Sequence, residues 1–124
     1  MRDKVLFIDA GHGGIDASGI YTTAPSKQHK FEQGFHENGW FYEGVSNRKI
    51  AAEFMAQASR MGFLCIPVYH PSEDTHLSIR TNLANHIATK LQAESIYISF
   101  HSDAFNGSEV GLFTTTQTAP KATQ

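Results

Sequence analysis

The sequence is poor in cysteine, in long apolar runs and in net charge. Its 124 residues include one cysteine, Cys65, which excludes an intramolecular disulfide and a cysteine-based zinc site. Because Cys65 lies in the apolar run GFLCIPV, we expect a buried thiol, which leaves the cellular compartment open. No apolar run approaches the roughly 18 residues that a membrane span needs, so no membrane partner is expected.

The net charge argues against nucleic-acid binding, and the first residues argue against a signal peptide. The formal net charge is −2, without the basic excess typical of nucleic-acid binding, so no nucleic-acid partner is expected. The opening stretch MRDKVLFIDAG begins with charges, but its apolar run stops at Asp9, too early for the core of a signal peptide. We therefore expect no export signal in this chain.

Apolar runs alternate with helical periods and predict an α/β fold in a single domain over residues 1–124. With 40% hydrophobic residues, the chain is able to bury a core. Strands are predicted for short apolar runs that end in glycine, proline or polar residues, and helices for apolar residues spaced three and four apart. The predicted order is strand 4–8, loop 10–40, helix 43–61, strand 63–69, helix 75–92, strand 95–100 and strand 109–116.

Strands that alternate with helices indicate a mostly parallel, twisted sheet with helices on both faces. Gly62 is expected to end the first helix, and Pro67 indicates an edge position or the exit of its strand. In such sheets ligands bind at the carboxyl ends of the strands. The predicted apolar helix faces are Val45, Ile50, Phe54 and Ala58 in the first helix and Leu77, Leu83, Ala84, Ile87 and Leu91 in the second.

Two histidines directly follow predicted strands. His12 lies in the glycine-rich DAGHGG after the first strand, and His101 follows SIYISF. Together with Glu43, at the start of the first helix, they offer the two imidazoles and one carboxylate common in catalytic zinc sites. The helix dipole would also stabilise a carboxylate at that position. The alternative interpretation is that both histidines are hydrogen-bonded structural residues at strand ends.

Four segments, in order, resemble the zinc-dependent N-acetylmuramoyl-L-alanine amidases of the amidase-3 group, which are bacterial cell-wall hydrolases and phage endolysins. The segments are DAGHGG, EGVSNRKIA, HLSIRTNLAN and YISFHSDAFNG, and together they span essentially the whole chain. The resemblance implies that His12, Glu43 and His101 hold Zn²⁺. It also implies that the partner is peptidoglycan, and that the reaction hydrolyses the amide between N-acetylmuramic acid and the first L-alanine of the stem peptide.

Residues near these ligands are assigned supporting roles. We expect Gly11 and Gly13 to let the backbone turn tightly around the first histidine. For Asp9 two interpretations are open: a carboxylate bonded to a ligand imidazole, or an acceptor of backbone N–H bonds in the loop. Asp16 is expected to structure the loop. For Arg80 two interpretations are open: an ion pair on the helix surface, or a hydrogen bond that fixes the adjacent loop. In either case we expect Arg80 to support the structure.

The sequence departs from the family near its end. The family's catalytic glutamate lies in an E-x-G-F-like segment on a later strand, and no such segment occurs here. Loss of such a general base typically costs about 10²–10⁴-fold in rate. We therefore expect a catalytic domain that is incomplete at its C-terminus. The alternatives are a truncated gene product and a catalytically inactive zinc- or peptidoglycan-binding relative. Glu37 is considered as a substitute base, although a solvated loop carboxylate is the default, and Asp103 replaces the family's usual asparagine.

The remaining histidines and aromatic residues support weaker predictions. Aromatic residues around His36 form either a wall for glycan or peptide or a hydrophobic plug under the loop, and the plug is favoured. These residues are Phe35, Trp40, Phe41 and Tyr42. Four other histidines are predicted at the surface: His29, His70, His76 and His86. A phage lysin released through a holin, or a secreted enzyme whose signal has been removed, fits the expected lack of a signal. A metal-free α/β binding domain is the remaining alternative.

Overall fold

The computed structural model describes residues 4–31 and 39–102. These residues form a mixed α/β fold with a three-stranded parallel sheet, two helices and a separate antiparallel pair of short strands. The strand predicted over residues 109–116 lies outside the described residues. The elements are β1 (Lys4–Ala10), β2 (Gln28–Lys30), β3 (Trp40–Tyr42), α1 (Glu43–Arg60), β4 (Leu64–Pro67), α2 (Leu77–Leu91) and β5 (Glu94–Phe100).

The central strand of the parallel sheet is β1, in the order β4-β1-β5. Every residue of β1 after Lys4 is buried, as expected for an apolar strand with a neighbour on each side. The pairing of β1 with β5 extends from Lys4 opposite Glu94 to Ala10 opposite Phe100. The Gly11 N–H continues it by donating to the Phe100 carbonyl at 3.0 Å. This register places the carboxyl ends of β1 and β5 side by side.

Alternate residues of β1 contribute to two separate core clusters, because successive side chains of a strand point in opposite directions. One cluster joins the strand to α1 and contains Leu6, Ile8, Ala10, Ala51 and Ala58. The other joins it to α2 and contains Val5, Phe7, Val68 and Ala84. The central strand is therefore packed against both helices through different side chains.

The buried stripe of α1 differs in part from the predicted one. Ala58 is buried and Phe54 packs against the core as predicted, but Ile50 is 49% exposed. At its N-terminal end the stripe continues through two buried polar residues, Glu43 and Asn47, which are one turn apart. Apolar periodicity does not detect this part of the stripe, because it treats polar side chains as facing solvent.

The inward face of α2 is also rotated relative to the prediction. Ala84 is buried and Ile87 packs against the core, but the three predicted leucines are largely exposed. Their exposed fractions are 62% at Leu77, 42% at Leu83 and 45% at Leu91. Arg80 is buried one turn before Ala84, so an ionised residue contributes to the inward face in place of the leucines.

Several local predictions can be compared directly with the structure. The helix α1 ends at Arg60, and Gly62 follows in the left-handed region at φ 96°, as predicted for a glycine after a helix. Within the described residues β4 pairs with β1 alone, so Pro67 does lie on an edge strand. Cys65 packs against the core but is only partly buried. Neither helix of the described ranges is long and apolar enough to cross a bilayer.

The segment predicted as a loop over residues 10–40 contains short regular pairings. Ile15 bridges to Tyr21, and β2 pairs with β3 in antiparallel fashion. Asp16 structures this region as predicted, because its Oδ1 atom accepts the backbone N–H groups of Ser18 and Ile20. Strands of three residues are too short to give a periodic signal, which explains why the sequence did not predict them.

The aromatic segment is described only in part. Phe35 and His36 lie outside the described residues, whereas Trp40 begins β3. The ring of Tyr42, which ends that strand, packs on Tyr21 at a centroid distance of 4.6 Å. The choice between a ligand-binding wall and a hydrophobic plug stays a prediction.

The first turn of α1 packs directly against the loop after β1, and Gly44 makes this approach possible. A Cβ atom at Gly44 would collide with the backbone carbonyl of Gly13, which cannot rotate away as a side chain would. We expect Gly44→Ala to lower the free energy of unfolding by about 1–3 kcal/mol, measured by urea denaturation. At a helical position with open space around it, replacement of glycine by alanine would instead stabilise the helix by about 0.8–1.0 kcal/mol.

Ala52→Gly, at an exposed position of the same helix, provides the matched control because it reports helix propensity alone. If Gly44→Ala stabilised the protein by the amount that Ala52→Gly destabilises it, the close contact between α1 and the loop would be disproved.

Candidate metal centre

Three side chains from distant parts of the chain meet at the carboxyl ends of β1 and β5. His12 lies two residues beyond β1, His101 directly follows β5, and Glu43 is the first residue of α1. One ligand atom from each residue lies within 4.8 Å of the other two. Glu43 Oε1 is 3.4 Å from His12 Nε2 and also 3.4 Å from His101 Nδ1. The structure thus brings together the three predicted ligands in a group that could hold a metal ion.

The spacing of these atoms fits the size of a small transition-metal ion. Ligand atoms bound at 2.0–2.2 Å around a tetrahedral zinc ion lie about 3.4 Å from one another. Both distances from the Glu43 oxygen have this value. Two imidazole nitrogens and one carboxylate oxygen suit Zn²⁺ and also other divalent transition metals, so the donor set leaves the identity of the metal open. The side chain of His101 is 51% exposed, which gives solvent access to the group.

The backbone at His12 has an unusual conformation. His12 itself has φ 64°, in the left-handed region that residues other than glycine adopt rarely. Gly11 and Gly13, which were predicted to let the backbone turn tightly around His12, do not themselves have a positive φ. Gly11 has a different role: a Cβ there would collide with the imidazole of His101. Its lack of a side chain therefore allows the second histidine to approach the loop of the first.

Arg80 is hydrogen-bonded to the backbone of the loop that carries His12. It is 2% exposed, so the expectation of an ion pair on the helix surface is wrong. Its Nη1 atom donates to Asp9 Oδ1 at 2.7 Å and to the Ala10 carbonyl at 2.6 Å. Its Nη2 atom donates to the His12 carbonyl at 3.0 Å. The guanidinium therefore fixes the backbone on both sides of Gly11, in agreement with the alternative in which Arg80 fixes the adjacent loop.

Asp9 follows neither of its two sequence-based interpretations. Its carboxylate is 1% exposed and forms an ion pair with Arg80 through Oδ1. Its other oxygen, Oδ2, accepts the Ser99 hydroxyl at 2.8 Å. Asp9 thus connects β1, α2 and β5 beneath the candidate site, and it supports His12 through Arg80 and the loop backbone. A buried arginine on α2 as its partner was not predicted, because Arg80 was not expected in the interior.

The carboxylate of Glu43 is oriented by two donors. The Ser102 backbone N–H donates to Oε1 at 3.0 Å, and Asn47 Nδ2 lies 3.5 Å from the same oxygen. The backbone N–H of Gly44 donates to the Tyr21 hydroxyl at 3.0 Å and so satisfies one free donor at the start of α1. Sequence reasoning missed Asn47, although its position four residues after Glu43 places it on the same side of the helix.

The protonation equilibria favour metal binding at His12 and Glu43 and oppose it at His101. Burial lowers the pKa of His12 below its usual value, against the opposing effect of the Glu43 carboxylate. Burial alone would raise the pKa of Glu43, but hydrogen bonds from His101 and the Ser102 N–H outweigh it and lower this pKa. Hydrogen bonding to Glu43 raises the pKa of His101. The lowered pKa values favour the neutral imidazole of His12 and the carboxylate of Glu43, the forms that bind metals, whereas protons compete most strongly for His101.

The other candidate residues lie away from this group or outside the described chain. Glu37 and Asp103 fall outside the described residues, so their roles stay predictions. The four histidines predicted at the surface are exposed. His76 caps α2 by accepting the Ser78 N–H, and His70 accepts two backbone N–H groups in the preceding turn. Comparisons with models of protein families, with curated proteins and with solved structures give no match for this chain.

Loss of the Arg80 guanidinium is expected to destabilise the protein strongly. Arg80→Met would leave the buried Asp9 carboxylate without its charged partner, which lowers the free energy of unfolding by about 3–5 kcal/mol. Urea denaturation of the metal-free protein measures this change without a contribution from bound ions.

The double variant Asp9→Asn/Arg80→Met serves as the control, because it removes both charges together. We expect it to regain part of the loss. A double variant no more stable than Arg80→Met alone would contradict the assignment of the cost to an unpaired carboxylate.

Proposed function

We propose that this chain is a zinc-dependent peptidoglycan amidase domain, with His12, Glu43 and His101 as the metal ligands. The observation that supports this most directly is that these residues meet in space although they are far apart in sequence. The same three positions are the ones implied by the resemblance to the amidase-3 group. Neither an isolated histidine nor the DAGHGG motif alone would carry the proposal.

We further propose that the sheet is twisted and has helices on both faces, as in the family that the sequence resembles. The support is the division of β1 side chains between a cluster with α1 and a cluster with α2. In parallel sheets with helices on both faces, ligands bind at the carboxyl ends of the strands, which is where the candidate site lies.

Each residue of the site has a distinct part in the proposed hydrolysis. When bound, Zn²⁺ supplies Lewis acidity toward the substrate carbonyl and lowers the pKa of water. His12 and His101 offer neutral imidazole nitrogens, and Glu43 offers a carboxylate that the Ser102 N–H holds in place. Arg80 keeps the His12 loop in its left-handed conformation through the carbonyl bonds on either side of Gly11. The proposed substrate is the amide between N-acetylmuramic acid and L-alanine.

An inactive zinc- or peptidoglycan-binding module is the second candidate. Over residues 4–31 and 39–102, the cluster contains no carboxylate besides Glu43, and that one is assigned to the metal. Amide hydrolysis also needs a group that moves a proton to the leaving amine. Binding without turnover is therefore the specific alternative to the amidase.

Zinc content tests the metal assignment. We expect about one equivalent of zinc in the wild-type chain by elemental analysis, as for a three-residue site with an open position. His12→Ala and Glu43→Ala should each lose it. His86→Ala, which removes an exposed histidine on α2, is the matched control and should retain it. Retention of zinc by both ligand variants would refute the site.

The same preparations distinguish the two candidate functions through the fate of a purified muramyl peptide. Release of the L-alanine amino group by the wild type, but not by Glu43→Ala, would support the amidase. Binding of zinc and muramyl peptide without release of amine would support the binding module instead.

A further inference from the structure

One buried amide touches all three chain segments that carry the candidate ligands. We propose that Asn47 is the positioning residue of the metal centre, which fixes the Glu43 carboxylate relative to the two histidine-bearing segments. This inference rests on the proposed metal site. It assigns to Asn47 a role that neither the sequence motifs nor the ligand cluster indicates.

The side chain of Asn47, near the start of α1, makes three polar contacts. Its Nδ2 atom donates to the Gly11 carbonyl at 3.1 Å and lies 3.5 Å from Glu43 Oε1. Its Oδ1 atom accepts the Ser102 hydroxyl at 3.4 Å. Gly11 precedes His12 and Ser102 follows His101 in the chain, so each contact reaches a ligand or its immediate neighbour.

The chemistry of these partners requires an amide at this position. The Gly11 carbonyl and the Glu43 carboxylate are both acceptors, so the group that faces them must donate twice. The Ser102 hydroxyl donates to Oδ1 in the structure, so the same side chain also accepts one hydrogen bond. Among uncharged side chains of this size, only the asparagine amide combines two donors and one acceptor in one rigid plane. The side chain of Asn47 is 0% exposed, so water cannot replace these bonds without a rearrangement of the core.

Asn47 contacts the carboxylate oxygen of Glu43 that faces both histidines. Glu43 Oε1 is the atom at 3.4 Å from both imidazoles, and it receives the Asn47 amide and the Ser102 N–H. With these donors in place, the carboxylate does not have to be ordered when an ion binds. Groups that orient a metal ligand in this way typically contribute 10–100-fold to metal affinity.

The test compares Zn²⁺ affinity with stability in two variants of Asn47. Asn47→Leu has a similar shape and no charge, and Asn47→Ser keeps a polar group too short to reach the Gly11 carbonyl. We expect both to bind Zn²⁺ about 10–100-fold more weakly than the wild type in competition with a chromophoric chelator. The absorption spectrum of the Co²⁺-substituted protein should also change, because it reports the geometry of the ligands. If Asn47→Leu does not fold, Asn47→Ser gives both readouts.

Arg48→Met provides the matched control at the next position of α1. In the described part of the chain, the Arg48 guanidinium donates to backbone carbonyls of Gly44, His70, Pro71 and Glu73. We expect this variant to lose stability while its Zn²⁺ affinity and Co²⁺ spectrum stay those of the wild type. Asn47 variants that behaved like Arg48→Met, with lower stability and unchanged metal binding, would overturn the proposal. A wild-type chain that binds no zinc would instead refute the metal site itself.

Discussion

The ion pair between Asp9 and Arg80 is the contact on which the candidate site depends most. Both side chains are almost completely buried, where an unpaired charge would be very costly, and their 2.7 Å contact is the shorter of the two ion pairs that Arg80 forms in the described residues. The pair joins the central strand to α2, and further guanidinium bonds reach the carbonyls of Ala10, His12 and Thr75. A single electrostatic requirement therefore determines which face of α2 is turned inward and how the chain leaves β1. These bonds hold the carbonyls on either side of Gly11, next to the left-handed backbone of His12.

The sequence was sufficient to predict the three strands of the parallel sheet and the meeting of the candidate ligands. Apolar runs identified β1 and β5, and parallel strands end at the same edge of a sheet, so the residues that follow each strand become neighbours. His12 and His101 meet for this reason. Glu43 was predicted at the start of α1 and is found there. The resemblance to the amidases named the same three residues, whereas their use of zinc and their substrate go beyond what the geometry shows.

Most of what the sequence did not predict has one physical cause, which is the burial of polar groups that form hydrogen bonds and ion pairs with each other. Periodicity placed Leu77 and Leu83 inside, although the inward face of α2 begins with Arg80. It also missed Asn47, whose burial makes sense only once Gly11, Glu43 and Ser102 are known to surround it. Such a residue has no recognisable sequence signal, because its partners come from segments brought together by the fold. The short strands β2 and β3 were missed for a simpler reason, since three residues do not establish a period.

The pairing of β1 with β5 has a consequence for the order in which the molecule assembles. Lys4 lies opposite Glu94, so this ladder closes a loop that contains most of the described chain. Contacts between such distant residues form slowly, and the N-terminal part of a chain emerges first during synthesis. A nascent chain that has made β1 and α1 therefore presents His12 and Glu43 before the third ligand exists. The three-residue group is complete only when β5 has docked, so a metal ion held by all three residues would report that β5 is in place.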